Sequence, residues 1–335
     1  MEAELQVSLR GYQFHVKIGR KVWLMSYSMD ATVLVTAYNQ TSLLRITLSL
    51  LKRQDYDGAW EIVVCDDGSD EDTLSAIKAL DEKSGVPVRY IWQARDGARR
   101  AKSRNNALRC ANGRVIVLLD GDIAVPADFV SRHMAFHASN RTAIYGTRRW
   151  MFLGDLPQNE SFETHIDSLL SADANTSNFL SEAWLFQEKF ACSSEPWRGC
   201  MGCNLSFTRD SEQILFDEAF VGWGYEDIEL AYRLHRKFGY HIQFVPSLYG
   251  LHLEGSPRSE FVLFRPRTHL DIVQLLRNVL YFYDLYPELN VVAACEILGH
   301  FEYDSEANIW KVAKKPNYSE ANIQSTLAIA RSCLR

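Results

Sequence analysis

Two carboxylates one glycine apart, Asp120-Gly121-Asp122, close the apolar run Val115-Ile-Val-Leu-Leu119. Like charges so close repel unless a cation joins them. Mg2+ and Mn2+ take one or two carboxylates together with substrate phosphates. An Asp-Gly turn whose second acid caps the next helix would have the same letters, so the surrounding chain has to choose. A second acidic pair, Asp66-Asp67-Gly68-Ser69, follows Glu61-Ile-Val-Val-Cys65, and Thr36-Ala37-Tyr38-Asn39 ends an earlier apolar run. A base or sugar needs acceptors for its N–H and O–H groups and an aromatic face to stack on. Tyr38 and the Asp66/Asp67 pair supply both, although a strand-to-helix turn explains the acids equally simply. Arg95, Arg99, Arg100, Lys102 and Arg104 crowd into ten residues of an otherwise acidic protein. Arg100 and Arg104 are four apart and share a helix face. A guanidinium pair beside a metal-bearing carboxylate turn is what a diphosphate requires.

The second half adds two more clusters. In Gly199-Cys-Met-Gly202-Cys-Asn204, glycine lets backbone approach a ligand closely and Asn204 offers both a donor and an acceptor. In Gly222-Trp223-Gly224-Tyr-Glu226-Asp227, the acids open a helix marked by Ile228, Ala231, Leu234 and Phe238. The helix dipole favours acids there whatever they do. Their chemical use would be as a general base: transfer with inversion needs a carboxylate opposite the leaving diphosphate to take the acceptor proton. Trp223 between two glycines would make an aromatic platform for a sugar ring. Cys200 and Cys203 have zinc spacing, but no second pair follows. His133 and His137 are four apart without the glutamate of an H-E-x-x-H motif, and are expected to be partly buried or at the surface.

Strand-like and helix-like stretches alternate four times between residues 31 and 122, which predicts an α/β fold with a parallel, doubly wound sheet. Ligands of such sheets bind at the carboxyl ends of the strands, and Thr36 to Asn39, Asp66-Asp67 and Asp120-Asp122 would converge there. No G-x-G-x-x-G follows any strand, which argues against a dinucleotide-binding dehydrogenase. Residues 1–30 suggest a small β extension. Residues 31–255 form the expected catalytic domain, divided into a donor half (31–125) and an acceptor half (126–255). Residues 256–335 look helical and amphipathic. They could pack on the catalytic domain, form a homodimer contact or rest peripherally on a membrane.

The chain has 335 residues, 47% of them hydrophobic and 23% charged, and a net charge of −6. That balance argues against nucleic-acid binding. No apolar run is long enough to span a bilayer, and the N-terminus lacks the layout of a signal peptide. Seven cysteines, an odd number scattered in or beside apolar runs, suit reduced thiols and a cytoplasmic location.

Val33-Leu-Val-Thr-Ala-Tyr-Asn39, Val64-Cys-Asp-Asp-Gly-Ser69, Ala101-x-x-Arg104-Asn105 and Leu119-Asp-Gly-Asp122 together resemble the N-terminal half of family 2 glycosyltransferases with the GT-A fold. Gly222-Trp-Gly-x-Glu-Asp-x-Glu-Leu-x-x-Arg233 resembles the C-terminal motif of the galactosyltransferase-like branch of such enzymes. The resemblance implies a nucleotide-sugar donor, commonly a UDP-hexose or UDP-N-acetylhexosamine, and Mn2+ or Mg2+. By it, Asp66 or Asp67 would hold the base and Asp120 would lie by the ribose and metal. Asp122 and His252 would be metal ligands, Asp227 the base, and Glu226 the residue that holds the acceptor. Glycan, lipid-linked, peptide and small-molecule acceptors all remain open. Three other activities stay in view: a retaining polypeptide N-acetylgalactosaminyltransferase-like enzyme, a sugar-1-phosphate nucleotidyltransferase and a non-catalytic sugar-binding domain. The nucleotidyltransferase would need a glycine-rich phosphate loop at the first strand, which Thr36-Ala-Tyr-Asn-Gln40 lacks.

Overall fold

The computed structural model describes residues 3–9, 12–18, 27–81, 85–152, 166, 170, 182–210, 214–254 and 268–334. Strands β1 (Ala3–Leu9) and β2 (Tyr12–Ile18) pair antiparallel. The α/β alternation follows with β3 (Met29–Ala37), α1 (Thr41–Leu51), β4 (Trp60–Asp66), α2 (Glu71–Asp81), β5 (Val88–Trp92), α3 (Arg100–Cys110) and β6 (Gly113–Asp120). Next come β7 (Ile123–Ala124), α4 (Phe129–Ala135), β8 (Thr142–Phe152), α5 (Glu182–Ala191), β9 (Asn204–Thr208), α6 (Glu226–Tyr232) and β10 (His241–Glu254). Strands β3 to β10 form one eight-stranded sheet in the order β5-β4-β3-β6-β9-β8-β10-β7. Its first four strands are parallel, as are β8 and β10; β9 runs antiparallel between β6 and β8.

The central strands β3, β4 and β6 carry long buried apolar runs, as strands covered on both faces do. Leu34, Val63, Ile116 and Leu118 enter the core on one face, and Val33, Val35, Ile62, Val64, Val117 and Leu119 enter the core on the other. Leu44, Leu48 and Leu51 of α1 cover the second face. The first face takes Ala101, Ala107 and Leu108 of α3 and the C-terminal helices.

Those helices are α7 (His269–Leu285), α8 (Val291–Cys295) and α9 (Glu320–Cys333). Thr268 and Asp271 close a capping box at the start of α7. Ile272, Leu275, Leu276, Val279 and Phe282 then bury its apolar stripe in the same core as β6. Of the three uses foreseen for this amphipathic stretch, packing on the α/β body is the one observed. The stretch is not wholly helical: β11 (Phe301–Asp304) and β12 (Ile309–Val312) form a hairpin in it. β-Branched and aromatic residues there (Ile309, Trp310, Val312) favour a strand. Strand β10 runs through Pro246, with a register shift between Phe244 and Tyr249 that absorbs the missing N–H. No helix among the described residues is long and apolar enough to cross a membrane.

Candidate active site

The carboxyl ends of β3, β4 and β6 meet at one edge, and hydrogen bonds fix each polar group there. The Thr36 hydroxyl donates to Asp120 Oδ1 at 2.7 Å, and the Gly121 N–H to the Thr36 carbonyl at 2.9 Å. A Cβ on Gly121 would stand 2.5 Å from that carbonyl, so the turn between the two carboxylates needs a glycine. Burial pushes the Asp120 carboxyl up, but Arg104 and Arg100, with the Thr36 hydroxyl, outweigh it and keep the group ionised.

Asp122 faces β10. Its carbonyl accepts from Leu253 N–H at 2.9 Å, and its Oδ2 lies 3.3 Å from His252 Nε2. The sheet makes this encounter: His252 is level with Ile123 on one side and Trp150 on the other, and its ring packs edge-on to Trp150 at 4.3 Å. Asp122 Oδ1 is buried with no hydrogen-bond partner among the described residues. A buried lone oxygen beside a carboxylate–imidazole pair fits a divalent cation that accepts mixed N/O ligands. Among the described residues no third His, Cys, Asp or Glu joins them, so the remaining ligands would have to come from substrate or water.

A cavity of about 220 Å³ at this edge is lined by Thr36, Ala37, Tyr38, Asp67, Arg95 and Arg100, with the turn 120–122 as its floor. Tyr38 is 43% exposed, and the Arg95 guanidinium lies 3.7 Å over its ring. Asp67 Oδ2 accepts from Arg95 (2.6 Å) and from Arg99 N–H (2.7 Å), and Oδ1 accepts from Gln93 (2.7 Å). Asp66 turns the other way. Its Oδ1 takes the N–H groups of Gly68 and Ser69, and its Oδ2 takes the Tyr90 hydroxyl. It therefore builds the turn and, unlike Asp67, does not line the cavity. Asn39 likewise closes the β3–α1 turn, accepting from Asp70 N–H at 3.1 Å.

A larger cavity of about 560 Å³ opens from the same edge; Asp120, Asp122 and Arg100 line both. Trp223, Glu226 and Asp227 line it too. The segment before them is under strain. Gly222 and Gly224 take φ of +90° and +86°, and Tyr225 is left-handed at +74°, a conformation that costs a non-glycine residue about 1–3 kcal/mol unless its surroundings enforce it. Here they do. Gly222 N–H donates to Ala98 at 2.7 Å, Asn278 of α7 donates to the Gly224 carbonyl at 2.9 Å, and the Tyr225 hydroxyl to the Ala294 carbonyl of α8 at 2.9 Å.

Glu226, 3% exposed, accepts from Arg100 and from Arg104, each at 3.1 Å. Arg104, itself buried, also reaches Asp120 Oδ1 at 3.2 Å. Asp227 accepts only backbone N–H groups among the described residues, Gly202 at 2.7 Å and its neighbour Ile228 at 2.9 Å. Burial, and then the Glu226 charge, push its carboxyl up to about 6. A carboxylate poised near neutrality in a cavity has the character of a proton acceptor.

Two expectations need correction. Asn204 is buried within the sheet: its amide donates to the Thr147 and Leu248 carbonyls and its oxygen meets His133 Nε2, all within 3.1 Å. It is spent on holding strands together. Gly202 serves through its backbone, and a Cβ there would press on Arg104 at 3.0 Å. His133 and His137, expected to be partly buried or at the surface, are both fully buried against Ser206, and burial pushes them down to about 4 and 3. Cys200 and Cys203 are buried thiols. Sequence reasoning missed the walls given by Arg148 and Trp150 and by α7, α8 and residues 296–300. Only Arg148-x-Trp150, alternating at strand period beside His252, carried a signal.

This edge-on site at a mixed sheet with a strained aromatic loop defines a GT-A enzyme. A mannosyltransferase from Pyrobaculum calidifontis, solved with GDP-Man and Mn2+, has the same fold, with a TM-score of 0.55 at 16% identity over 94% of this chain and 77% of that one. The model of glycosyl transferase family 2 matches residues 32–210, and the chain belongs to that family. A second model, the N-terminal domain of galactosyltransferase, matches residues 186–254. The chain is 29% identical to a hyaluronan synthase of Pasteurella multocida over 240 residues, 67% of this chain and 24% of that protein. It is 26% identical to a chondroitin synthase of Escherichia coli over 274 residues, 75% of this chain and 39% of that protein. The chain thus spans well under two thirds of either relative.

Proposed function

We propose that this chain is a metal-dependent, inverting glycosyltransferase that moves a sugar from a nucleotide-sugar to an acceptor hydroxyl, with Asp227 as the base. The observation that carries the reading is Asp227: a carboxylate pushed up to about 6, in the cavity that the Asp120–Asp122 turn also lines. The nucleoside would stack on Tyr38 in the smaller cavity, with Asp67 and the backbone beside it accepting from the base. The donor is a UDP-hexose or UDP-N-acetylhexosamine, a choice that rests on family resemblance. Arg100 and Arg104 face the diphosphate, and Glu226 holds their guanidinium groups in place rather than gripping the acceptor.

Asp122 and His252 would hold Mn2+ or Mg2+, which, when bound, offsets charge on the departing diphosphate. The solved mannosyltransferase complex, which contains Mn2+, supports this expectation. In the transfer, the acceptor oxygen forms a bond to the anomeric carbon from the face opposite the diphosphate. The carbon–phosphate-oxygen bond breaks, its electron pair leaves on the nucleoside diphosphate, and the acceptor proton passes to the Asp227 carboxylate. Trp223 offers a face for a sugar ring in the same cavity. An α-linked donor would give a β-linked product.

The test is a panel of UDP-, GDP- and dTDP-sugars with Mn2+ or with EDTA, read as nucleoside diphosphate release and as anomeric configuration by NMR. Release from one donor, abolished by EDTA, with a β-linked product is the expected result. An α-linked product would move the chain to the retaining reading, and cleavage of no donor would leave only a binding role.

A further inference from the structure

We propose that the Ser103 hydroxyl donates to a carbonyl oxygen of a uracil base in the smaller cavity, next to the ring N–H that Asp67 accepts. This role rests on the transferase reading above, which puts the nucleoside in that cavity, and it makes Ser103 a residue that decides which base is held. Ser103, near the start of α3, lines the cavity together with Thr36, Cys65, Asp67, Arg95 and Arg100. It is only 3% exposed, and its Oγ has no hydrogen-bond partner among the described residues.

The local backbone explains why this hydroxyl is left over. A serine inside a helix can return its hydroxyl to the carbonyl four residues earlier. Here that carbonyl belongs to Arg99, and it already accepts the Ser103 N–H at 3.0 Å and the Gln93 side-chain amide at 3.3 Å. Both of its lone pairs are taken. Other polar groups of the cavity wall are committed as well. The Thr36 hydroxyl donates to Asp120, the Cys65 thiol to the Val35 carbonyl and the Arg95 guanidinium to Asp67. A buried hydroxyl without a partner is costly, and a ligand in the cavity can supply the missing acceptor.

The same short stretch fixes Asp67. Arg99 N–H donates to Asp67 Oδ2 at 2.7 Å, and Gln93, whose amide also reaches the Arg99 carbonyl, donates to Asp67 Oδ1 at 2.7 Å. The Ser103 hydroxyl and the Asp67 carboxylate therefore belong to one hydrogen-bonded frame, the first a donor and the second an acceptor. The matching edge on a base is an N–H next to a C=O. Uracil carries a carbonyl on either side of its ring N–H, whereas cytosine turns a bare ring nitrogen to the carboxylate and sets two acceptors against each other.

The experiment titrates UDP, 2-thio-UDP, 4-thio-UDP, 2′-deoxy-UDP and GDP, each with Mn2+, into the full chain and into Ser103→Ala by calorimetry. Thiocarbonyl sulfur accepts a hydrogen bond more weakly than oxygen. Ser103→Ala should bind UDP about tenfold more weakly than wild type. One thio analogue should be weaker than UDP by about that factor in wild type and equal to UDP in the variant. The variant's loss should be the same with 2′-deoxy-UDP. With no partner to lose in the free chain, Ser103→Ala should melt no lower than wild type, as circular dichroism would show. If the variant does not fold, the thio analogues in wild type decide alone. Four results would each overturn the proposal while UDP binding keeps the transferase reading: equal UDP affinity in both proteins, thio analogues that bind wild type as tightly as UDP, a loss that disappears with 2′-deoxy-UDP, or a lower-melting variant. Binding of GDP but not UDP would also overturn it and leave a transferase with another donor. Binding of no nucleoside diphosphate by wild type would reject both.

Discussion

Glu226 and Asp227 sit side by side at the start of α6, yet Glu226 meets two guanidinium groups while Asp227 meets only backbone N–H groups among the described residues. The first is paired with arginine, and the second is pushed up by burial and by its neighbour's charge to about 6. A carboxyl raised in this way leaves the fold undisturbed below its ordinary range near pH 3.8 and costs stability as pH rises through about 6. Asp227→Asn should therefore melt higher than wild type well above pH 6 and equally near pH 4, while losing transfer by about 10²–10⁴-fold. Scanning calorimetry at the two pH values, beside a transfer assay, checks both halves. An Asn variant that keeps its activity would remove Asp227 from the base position.

Asn204 makes the opposite case. Asn204→Ala strands two buried carbonyls and should cost roughly 1–3 kcal/mol of stability. UDP affinity of the folded variant should stay at the wild-type level, as calorimetric titration would show. A selective loss of UDP affinity would return Asn204 to the binding site. Its letters allowed either use, because a donor-plus-acceptor side chain serves a ligand and a sheet equally well. Asp66 and Asp67 were indistinguishable for the same reason. A D-D-G-S turn needs one acid for its own N–H groups, and only the three-dimensional turn shows that Asp66 is the one.

At the level of elements, the strand ends were legible because apolar runs stop abruptly at polar residues, and β3, β4 and β6 do bring Thr36, Asp67 and Asp120 to one edge. What could not be read was β9 running antiparallel between β6 and β8, or the C-terminal helices closing the site. Their apolar stripe said that α7 is buried, not against what. The Gly222–Tyr225 loop shows the consequence. Its left-handed backbone is held by Asn278, a buried polar residue in the middle of α7. Asn278→Ala leaves the Gly224 carbonyl without that donor and should lower the melting temperature by the equivalent of about 1 kcal/mol. Because the loop carries Trp223 and precedes Asp227, kcat should fall several-fold with little change in donor KM. A matching rise in donor KM would instead tie α7 to nucleotide binding.

Taken whole, the molecule joins the smaller cavity at the strand ends and the larger cavity through one short turn, Asp120 to Asp122, which lines both. The first core also runs without a break from β6 into α7, α8 and α9, so the C-terminal helices form one body with the sheet that positions the turn. If the buried lone oxygen of Asp122 and the His252 imidazole are a cation site, nucleoside diphosphate binding must be linked to that cation through the whole active site. Calorimetric titration of UDP into the full chain, with Mn2+ and with EDTA, in wild type and Asp122→Ala, reads that linkage directly. The account predicts binding that requires Mn2+ and weakens by at least about tenfold in Asp122→Ala. Equal binding in EDTA and in the variant would contradict the metal-bridged site, and failure to bind any nucleoside diphosphate with Mn2+ present would contradict the transferase itself.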